Sequence, residues 1–137
     1  MTGTYNHNVD AKGRIFIPSA LRDELGERFF VTLSMEKCLS AYPLENWNVF
    51  REKVMAMPKA RQIKMRPLFS HAVECVPDSQ GRILLPQVMR DFAGLRKSVS
   101  IVGNNECVEF WDSELWAETD ALDLLPENLE ALYMELD

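Results

Sequence analysis

Residues 9–26 read VDAKGRIFIPSALRDELG, and residues 77–94 read PDSQGRILLPQVMRDFAG. Superimposed with a shift of 68 positions, Asp10 falls on Asp78, Gly13 on Gly81, Arg14 on Arg82 and Pro18 on Pro86, while Arg22, Asp23 and Gly26 fall on Arg90, Asp91 and Gly94. The apolar triplet Ile15, Phe16, Ile17 meets Ile83, Leu84, Leu85. Moving one residue further aligns Cys38 with Cys107, Tyr42 with Trp111 and Trp47 with Trp116. The chain is therefore an internal duplication. Its period is too long, and its copies too few, for a solenoid or a propeller.

Each copy reads as the same string of elements. A short strand enters and Asp-x-x-Gly turns it: Asp10 and Asp78 suit a turn start through local side-chain hydrogen bonds, and Gly13 and Gly81 accept positive φ without steric cost. A strand rich in aliphatic residues leaves through Arg-Ile-Phe-Ile or Arg-Ile-Leu-Leu. Pro18 and Pro86 mark a helix start, where a missing N–H is no loss, and Gly26 and Gly94 mark its stop. A second strand pair follows, RFFVTLS with CLSAYP in one copy and SVSIVG with CVEFW in the other. Helical spacing then places Trp47, Phe50 and Val54 on one face, with Leu115, Leu122 and Leu125 expected to do likewise in the second copy. Leu129, Leu132, Tyr133 and Leu136 fit an amphipathic tail helix. Between the copies, Lys59 to Arg66 holds four bases and no acid, and Pro67 is expected to kink or break any helix there.

These elements predict a mainly β protein with helices, an α+β fold whose two copies share one core about a pseudo-two-fold axis. The expected division is a first repeat over residues 4–47, a helical connector over 48–71, a second repeat over 72–116 and an acidic helical tail over 117–137. The axis places the two Asp-x-x-Gly-Arg turns in equivalent positions, where they are free to lie side by side.

Bulk properties narrow the function classes. With 137 residues, 47% hydrophobic and 26% charged, the chain is long enough for a real core. No apolar run approaches the roughly 20 residues of a membrane span. The N-terminus lacks a basic-then-apolar signal pattern, which makes a cytoplasmic address the expectation. Cys38, Cys75 and Cys107 are an odd set with no close pair, so neither a disulfide framework nor a zinc site is expected, and His7 and His71 do not change that. No metal or cofactor is expected.

The net charge of −6 is unevenly spread. Asn104 to Asp137 contains eleven acids and no base, leaving ten acids against fifteen bases in the rest. The acidic tail either serves solubility or lies away from a basic working face, since the local field governs an anionic partner.

The doubled DAKGR and DSQGR, each followed by an apolar strand and P-x-x-x-R, resembles the MraZ family, bacterial regulators built from two AbrB/SpoVT swapped-hairpin units. The likeness covers nearly the whole chain, including CLSAYPLENW, SHAVECVPD and VEFWDSELW. It implies a β-barrel of the double-psi type formed within one chain and a ring-shaped homo-oligomer. It further implies a nucleoid-associated transcriptional regulator of short repeated G-rich boxes on double-stranded DNA, upstream of the gene cluster for division and wall synthesis. The family signature carries over to Asp10 and Arg14 in the first copy and to Asp78 and Arg82 in the second. Lys12 sits inside the first turn where the second has Gln80, which weights DNA contact toward the first.

The chemistry suits that role. An arginine at a tight turn loses little entropy on binding, and its planar fork can donate two hydrogen bonds to O6 and N7 of guanine. Lys12 suits a phosphate better than a base. Asp10 and Asp78 are placed to orient the arginines or to cap the turn backbone. An exposed Asp–Arg pair can equally be a minor structural ion pair. Arg22 and Arg90, each beside an Asp on a short helix, are expected to serve oligomer or barrel salt bridges.

Two other readings remain. Asp10 and Asp78, related by pseudo-symmetry, would allow an aspartate-dyad enzyme, but the triplets are not Asp-Thr/Ser-Gly and a neighbouring arginine opposes a shared proton. No nucleophile triad, P-loop or dinucleotide turn supports catalysis, and no enzyme is expected. The other alternative is a ring-forming assembly module whose basic turns hold acidic protein segments.

Overall fold

The computed structural model describes all residues, 1–137. Its strands are β1 (Thr4–Asn8), β2 (Arg14–Phe16), β3 (Phe29–Leu33), β4 (Leu39–Pro43), β5 (Val73–Cys75), β6 (Arg82–Leu84), β7 (Ser98–Asn104) and β8 (Cys107–Asp112). The helices are α1 (Ser19–Leu25), α2 (Leu44–Met55), α3 (Lys59–Lys64), α4 (Arg66–Ser70), α5 (Gln87–Ala93), α6 (Ser113–Asp123) and α7 (Pro126–Glu135). The fold is α+β, and every strand pairing is antiparallel.

The strand order of the large sheet, β1-β7-β8-β4-β3-β5, is a palindrome of equivalents: β1 matches β5, β7 matches β3 and β8 matches β4. The pseudo-two-fold axis therefore passes between β4 and β8, where Ser40 opposes Glu109. The remaining strands, β2 and β6, form a separate two-stranded ribbon. Because β1 and β5 are the edges of the sheet and lead through the turns into β2 and β6, the ribbon folds back over the sheet and encloses the core in a barrel-like way.

That arrangement corrects the simple picture of two hairpins. β1 does not pair with β2, nor β5 with β6. Each incoming strand pairs with the other repeat, Asn8 opposite Ser98 and Phe29 opposite Cys75. Each outgoing strand pairs with its counterpart, Ile15 opposite Ile83. Two backbone bonds extend the exchange, from the Ile17 N–H to the Gly81 carbonyl and from the Leu85 N–H to the Gly13 carbonyl. Each repeat thus completes its sheet with strands of the other. The main core of 18 buried residues mixes both, with Ile15, Ile17, Leu21 and Phe29 against Ile83, Leu85, Met89 and Phe110.

Local chemistry sets the helices. Pro18, Pro43, Pro58 and Pro86 each stand at an N-cap, and Gly26 and Gly94 at C-caps with φ of 88° and 63°. The helical connector breaks at Met65, with Pro67 in the first turn of α4. The domain boundaries expected at 47/48 and 116/117 fall inside α2 and α6, so these helices belong to the repeating units.

The two helix layers differ. Trp47 and Val54 of α2 are buried, and Phe50 stacks on Tyr42 and on Phe69 of α4. The expected counterpart face of Leu115, Leu122 and Leu125 is not formed. Leu115 packs beside Trp111, but Leu122 is exposed and Leu125 lies beyond α6, at the N-cap of α7. Nothing in the chain covers Leu129, Leu132, Tyr133 or Leu136, all of them exposed. The three cysteines are buried and free, and burial pushes the Cys38 and Cys75 thiols up to about 12 and Cys107 to about 11, which leaves them unreactive.

Candidate nucleic-acid interface

In an antiparallel pair, residues directly opposite share a face, as do residues two apart along a strand. Ile15 and Ile83 face the core, so Arg14, Phe16, Arg82 and Leu84 all stand on the outer face of the ribbon. Arg14 opposes Leu84 and Arg82 opposes Phe16, which makes the two arginines diagonal neighbours, about 7–8 Å apart at Cα. The turns themselves do not lie side by side. They sit at opposite ends of the ribbon, because β2 and β6 run antiparallel and each turn precedes its strand.

Each turn is closed by its aspartate in the same way. The Gly13 N–H donates to the Asp10 carbonyl at 3.0 Å, and the Asp10 N–H to the Arg14 carbonyl at 2.9 Å. Asp10 Oδ1 accepts from the N–H groups of Lys12 and Arg14, both at 2.9 Å, and Oδ2 accepts from Arg14 Nε at 2.7 Å. Asp78 repeats this with Gln80 and with Arg82, whose Nε donates at 2.9 Å. Orientation and capping are thus done by one carboxylate. Hydrogen bonds from the Arg14 and Arg82 backbone N–H groups, then from the guanidinium and the turn tip, hold both carboxyls below their ordinary range against an opposing desolvation. A carboxyl lowered in the folded state adds stability that is present at neutral pH and fades as pH falls below the ordinary carboxylate value. The lock is closed under physiological conditions.

Fixing Nε leaves the two terminal amino groups of Arg14 and Arg82 without a partner in the chain. The side chains are 31% and 29% exposed, so the stems are packed and the tips reach water. This is a fork with its handle clamped, suited to planar two-point recognition. Leu84, 58% exposed, and half-buried Phe16 lie between and beside the forks. Sequence reading did not single out these two, since a Phe or Leu in an apolar triplet looks like core; strict alternation about Ile15 and Ile83 is the signal that finds them.

Arg22 and Arg90 form no ion pair within the chain, contrary to the barrel salt bridges expected of them. Each instead reaches across to the other repeat. Arg90 lies against Gly13, where a Cβ would fall 2.8 Å from the guanidinium, and its Nε donates to the Leu85 carbonyl at 2.9 Å. Arg22 lies against Gly81, where a Cβ would fall 2.7 Å away, and its guanidinium stands 5.3 Å above the Phe16 ring. Gly13 and Gly81, with φ of 86° and 80°, are thus required twice over, for the turn and for the arginine beneath it. Arg22 Nε is buried with no acceptor, so the two braces are unequal.

The ends of the ribbon also differ in charge. Lys12 is exposed at the first turn, and the Lys97 carbonyl accepts from the N–H of Val9, which follows β1 and leads into that turn, with the Lys97 side chain exposed and unpaired. At the second turn Gln80 replaces Lys12, and Arg28, the counterpart of Lys97, is bound to Glu74 at 3.3 Å. Asp10 and Asp78 stand at opposite ends of the ribbon, each committed to its own arginine, and do not form a dyad. No helix is long and apolar enough to cross a membrane, and no cluster of three or more His, Cys, Asp or Glu is placed to hold a metal.

Comparison with known proteins agrees with this architecture. The family described as "MraZ protein, putative antitoxin-like" matches twice, over residues 1–66 and 68–123. Proteins named Transcriptional regulator MraZ are similar along most of their length. That of Carboxydothermus hydrogenoformans is 47% identical over 117 residues, covering 83% of this chain and 82% of the relative. That of Caldicellulosiruptor bescii is 39% identical over 140 residues, covering 96% and 98%.

Proposed function

The chain belongs to the MraZ family, and from that premise we propose that it is a DNA-binding transcriptional regulator that reads guanine through the outer face of the β2–β6 ribbon. The observation that carries this reading is the pair of arginines, clamped at Nε by Asp10 and Asp78, with four free amino groups on one narrow face. A two-stranded ribbon fits the major groove of B-DNA, and an arginine fork on O6 and N7 of guanine is the commonest specific contact there. Lys12 and Lys97 supply phosphate contacts at the Arg14 end, which makes that end the stronger one.

The targets of this reading are short repeated G-rich boxes upstream of the cluster for division and wall synthesis, bound by a homo-oligomeric ring in the cytoplasm at the nucleoid. A good bidentate contact discriminates by roughly 1–3 kcal/mol, too little for one subunit alone. Several subunits on successive boxes multiply it through effective concentration. Boxes about one helical turn apart present the same DNA face to each subunit. No step of this activity is catalytic, and it calls for no cofactor.

The test is a mobility shift on a duplex with repeated G-rich boxes beside a scrambled duplex of equal length. Box-dependent retardation that weakens steeply as salt rises is the expected result. Equal retardation of both duplexes at every salt concentration would refute sequence reading and favour a module for acidic protein segments.

A further inference from the structure

Two surfaces of the chain carry unspent apolar area and opposite charge. The first is α7 with its C-cap, where Leu129, Leu132, Tyr133 and Leu136 recur at helical spacing and are all exposed, Tyr133 by 71% and Leu136 by 79%. From Ser113 onward the chain holds eight acids and no base, and only Glu114 is paired, with Arg96. The second is the groove between α2, α3 and α4, a cleft of about 390 Å³ lined by Arg51, Val54, Met55, Gln62 and Phe69. Met55 in its lining and Ile63 of α3 are exposed, and Lys59, Arg61, Lys64 and Arg66, on α3 and α4, form no ion pair in the chain.

We propose that α7 of one subunit docks into the α2–α3–α4 groove of a second copy of this chain. The occupant follows from complementarity. The helix presents an apolar stripe whose only charged neighbours are carboxylates, and the groove is built on elements whose charges are mainly cations. In the single chain the two do not meet, because α7 leaves the body through α6, on the β7–β8 side, whereas the groove is built on α2 and α4 over β3 and β4. The connector is already ordered around this slot, since Gln62 Nε2 donates to the Met55 and Met57 carbonyls at 3.1 and 2.8 Å, so little has to be ordered on docking.

Because donor and acceptor are different patches, the contact is heterologous and propagates head to tail, closing into a ring when the rotation allows. The inference thus deepens the proposed ring assembly, on which it rests, by naming its joint. It also assigns the Lys59–Arg66 stretch and the acidic tail to each other, not to DNA.

The experiment is a charge exchange read by light scattering. Glu127→Lys, Glu130→Lys and Glu135→Lys together make a tail-reversed chain; Lys59→Glu, Arg61→Glu and Lys64→Glu make a groove-reversed chain. All six sites are exposed, so the fold is kept, and circular dichroism checks it. Each reversed chain alone is expected to fall to smaller species. Mixing the two, or joining all six changes in one chain, is expected to restore the large assembly. Leu132→Asp is expected to raise the dissociation constant of the assembly about thirtyfold or more, the loss of one buried anchor. A wild-type chain that is monomeric sinks the ring and this joint together. A wild-type oligomer indifferent to all of these changes leaves the ring standing and overturns the joint. Groove reversal that abolishes DNA binding while the oligomer persists also overturns it, and makes the connector a DNA surface.

Discussion

The first repeat closes its helix layer and the second leaves it open. Over β3 and β4, Phe30 stacks on Trp47 and Tyr42 on Phe50, Trp47 and Phe50 both meet Phe69, and the Thr32 hydroxyl donates to the Leu68 carbonyl, binding α4 to the sheet. Over β7 and β8, Trp111 and Trp116 meet at 5.5 Å with no equivalent of α4 above them. The contrast at the ribbon is of another kind: the two turns agree bond for bond, yet one end is flanked by free lysines and the other is not. A duplicated fold has kept its backbone and let its surfaces diverge. The copies agree in the shared core and in the clamped Asp–Arg turns; they differ in the charges flanking those turns and in the helix layers.

The comparison can be broken most severely in the helix layers. Trp47→Ala should destabilise the fold by about 3–5 kcal/mol, as for a large buried side chain, and half-buried Trp116→Ala by roughly half as much. Denaturant unfolding measures both, and equal losses would show that the packing of α4 through Phe69 adds nothing. At the ribbon, Arg14→Ala should remove about 1–3 kcal/mol of box discrimination per subunit, with the melting temperature nearly unchanged. Arg82→Ala should cost less. Titration of both variants on box and scrambled duplexes decides, and a larger loss at Arg82 would reverse the weighting of the two ends.

The braces come next. Arg90→Ala breaks a hydrogen bond from a charged donor to the Leu85 carbonyl and should cost about 1.5–3 kcal/mol. Arg22→Ala removes a guanidinium whose Nε already lacks an acceptor and should cost distinctly less in the same melting experiment. Equal costs would mean that packing against the turn glycines, not the bond, is what the braces supply. The smallest change is Lys12→Gln, which makes the first turn like the second. It should lower the slope of log affinity against log salt by about 0.9, for a single phosphate left unneutralised, on any sequence. Gln80→Lys should raise it by a similar amount if the second turn also reaches phosphate.

Much of the fold was legible because its signals are local. Asp-x-x-Gly closes its turn through bonds spanning four residues, Pro18 and Pro86 begin helices through their own rings, and Gly94 ends one with its own φ. A duplication with matched turns also points to a shared core. The exchange of strands was not legible from turn chemistry, because Asp10 to Arg14 specifies where the chain reverses, not which strand lies beside β1. Nor were the braces: Arg22 adjoins Asp23 in sequence, but its side chain ends under Gly81, 59 residues away. The periodicity of Leu129, Leu132, Tyr133 and Leu136 identified a face to be buried. It says nothing about whether the chain itself buries it.

The palindromic strand order has one more consequence. A dyad in the backbone offers DNA two approaches related by half a turn, and a perfectly symmetrical reader would accept its target written either way round. With Lys12 at one end of the ribbon and Gln80 at the other, the subunit instead carries a heading. Copies joined in series would all travel the same way along the groove, so their targets should be tandem words in one orientation, and inverting every second word should unseat half the subunits.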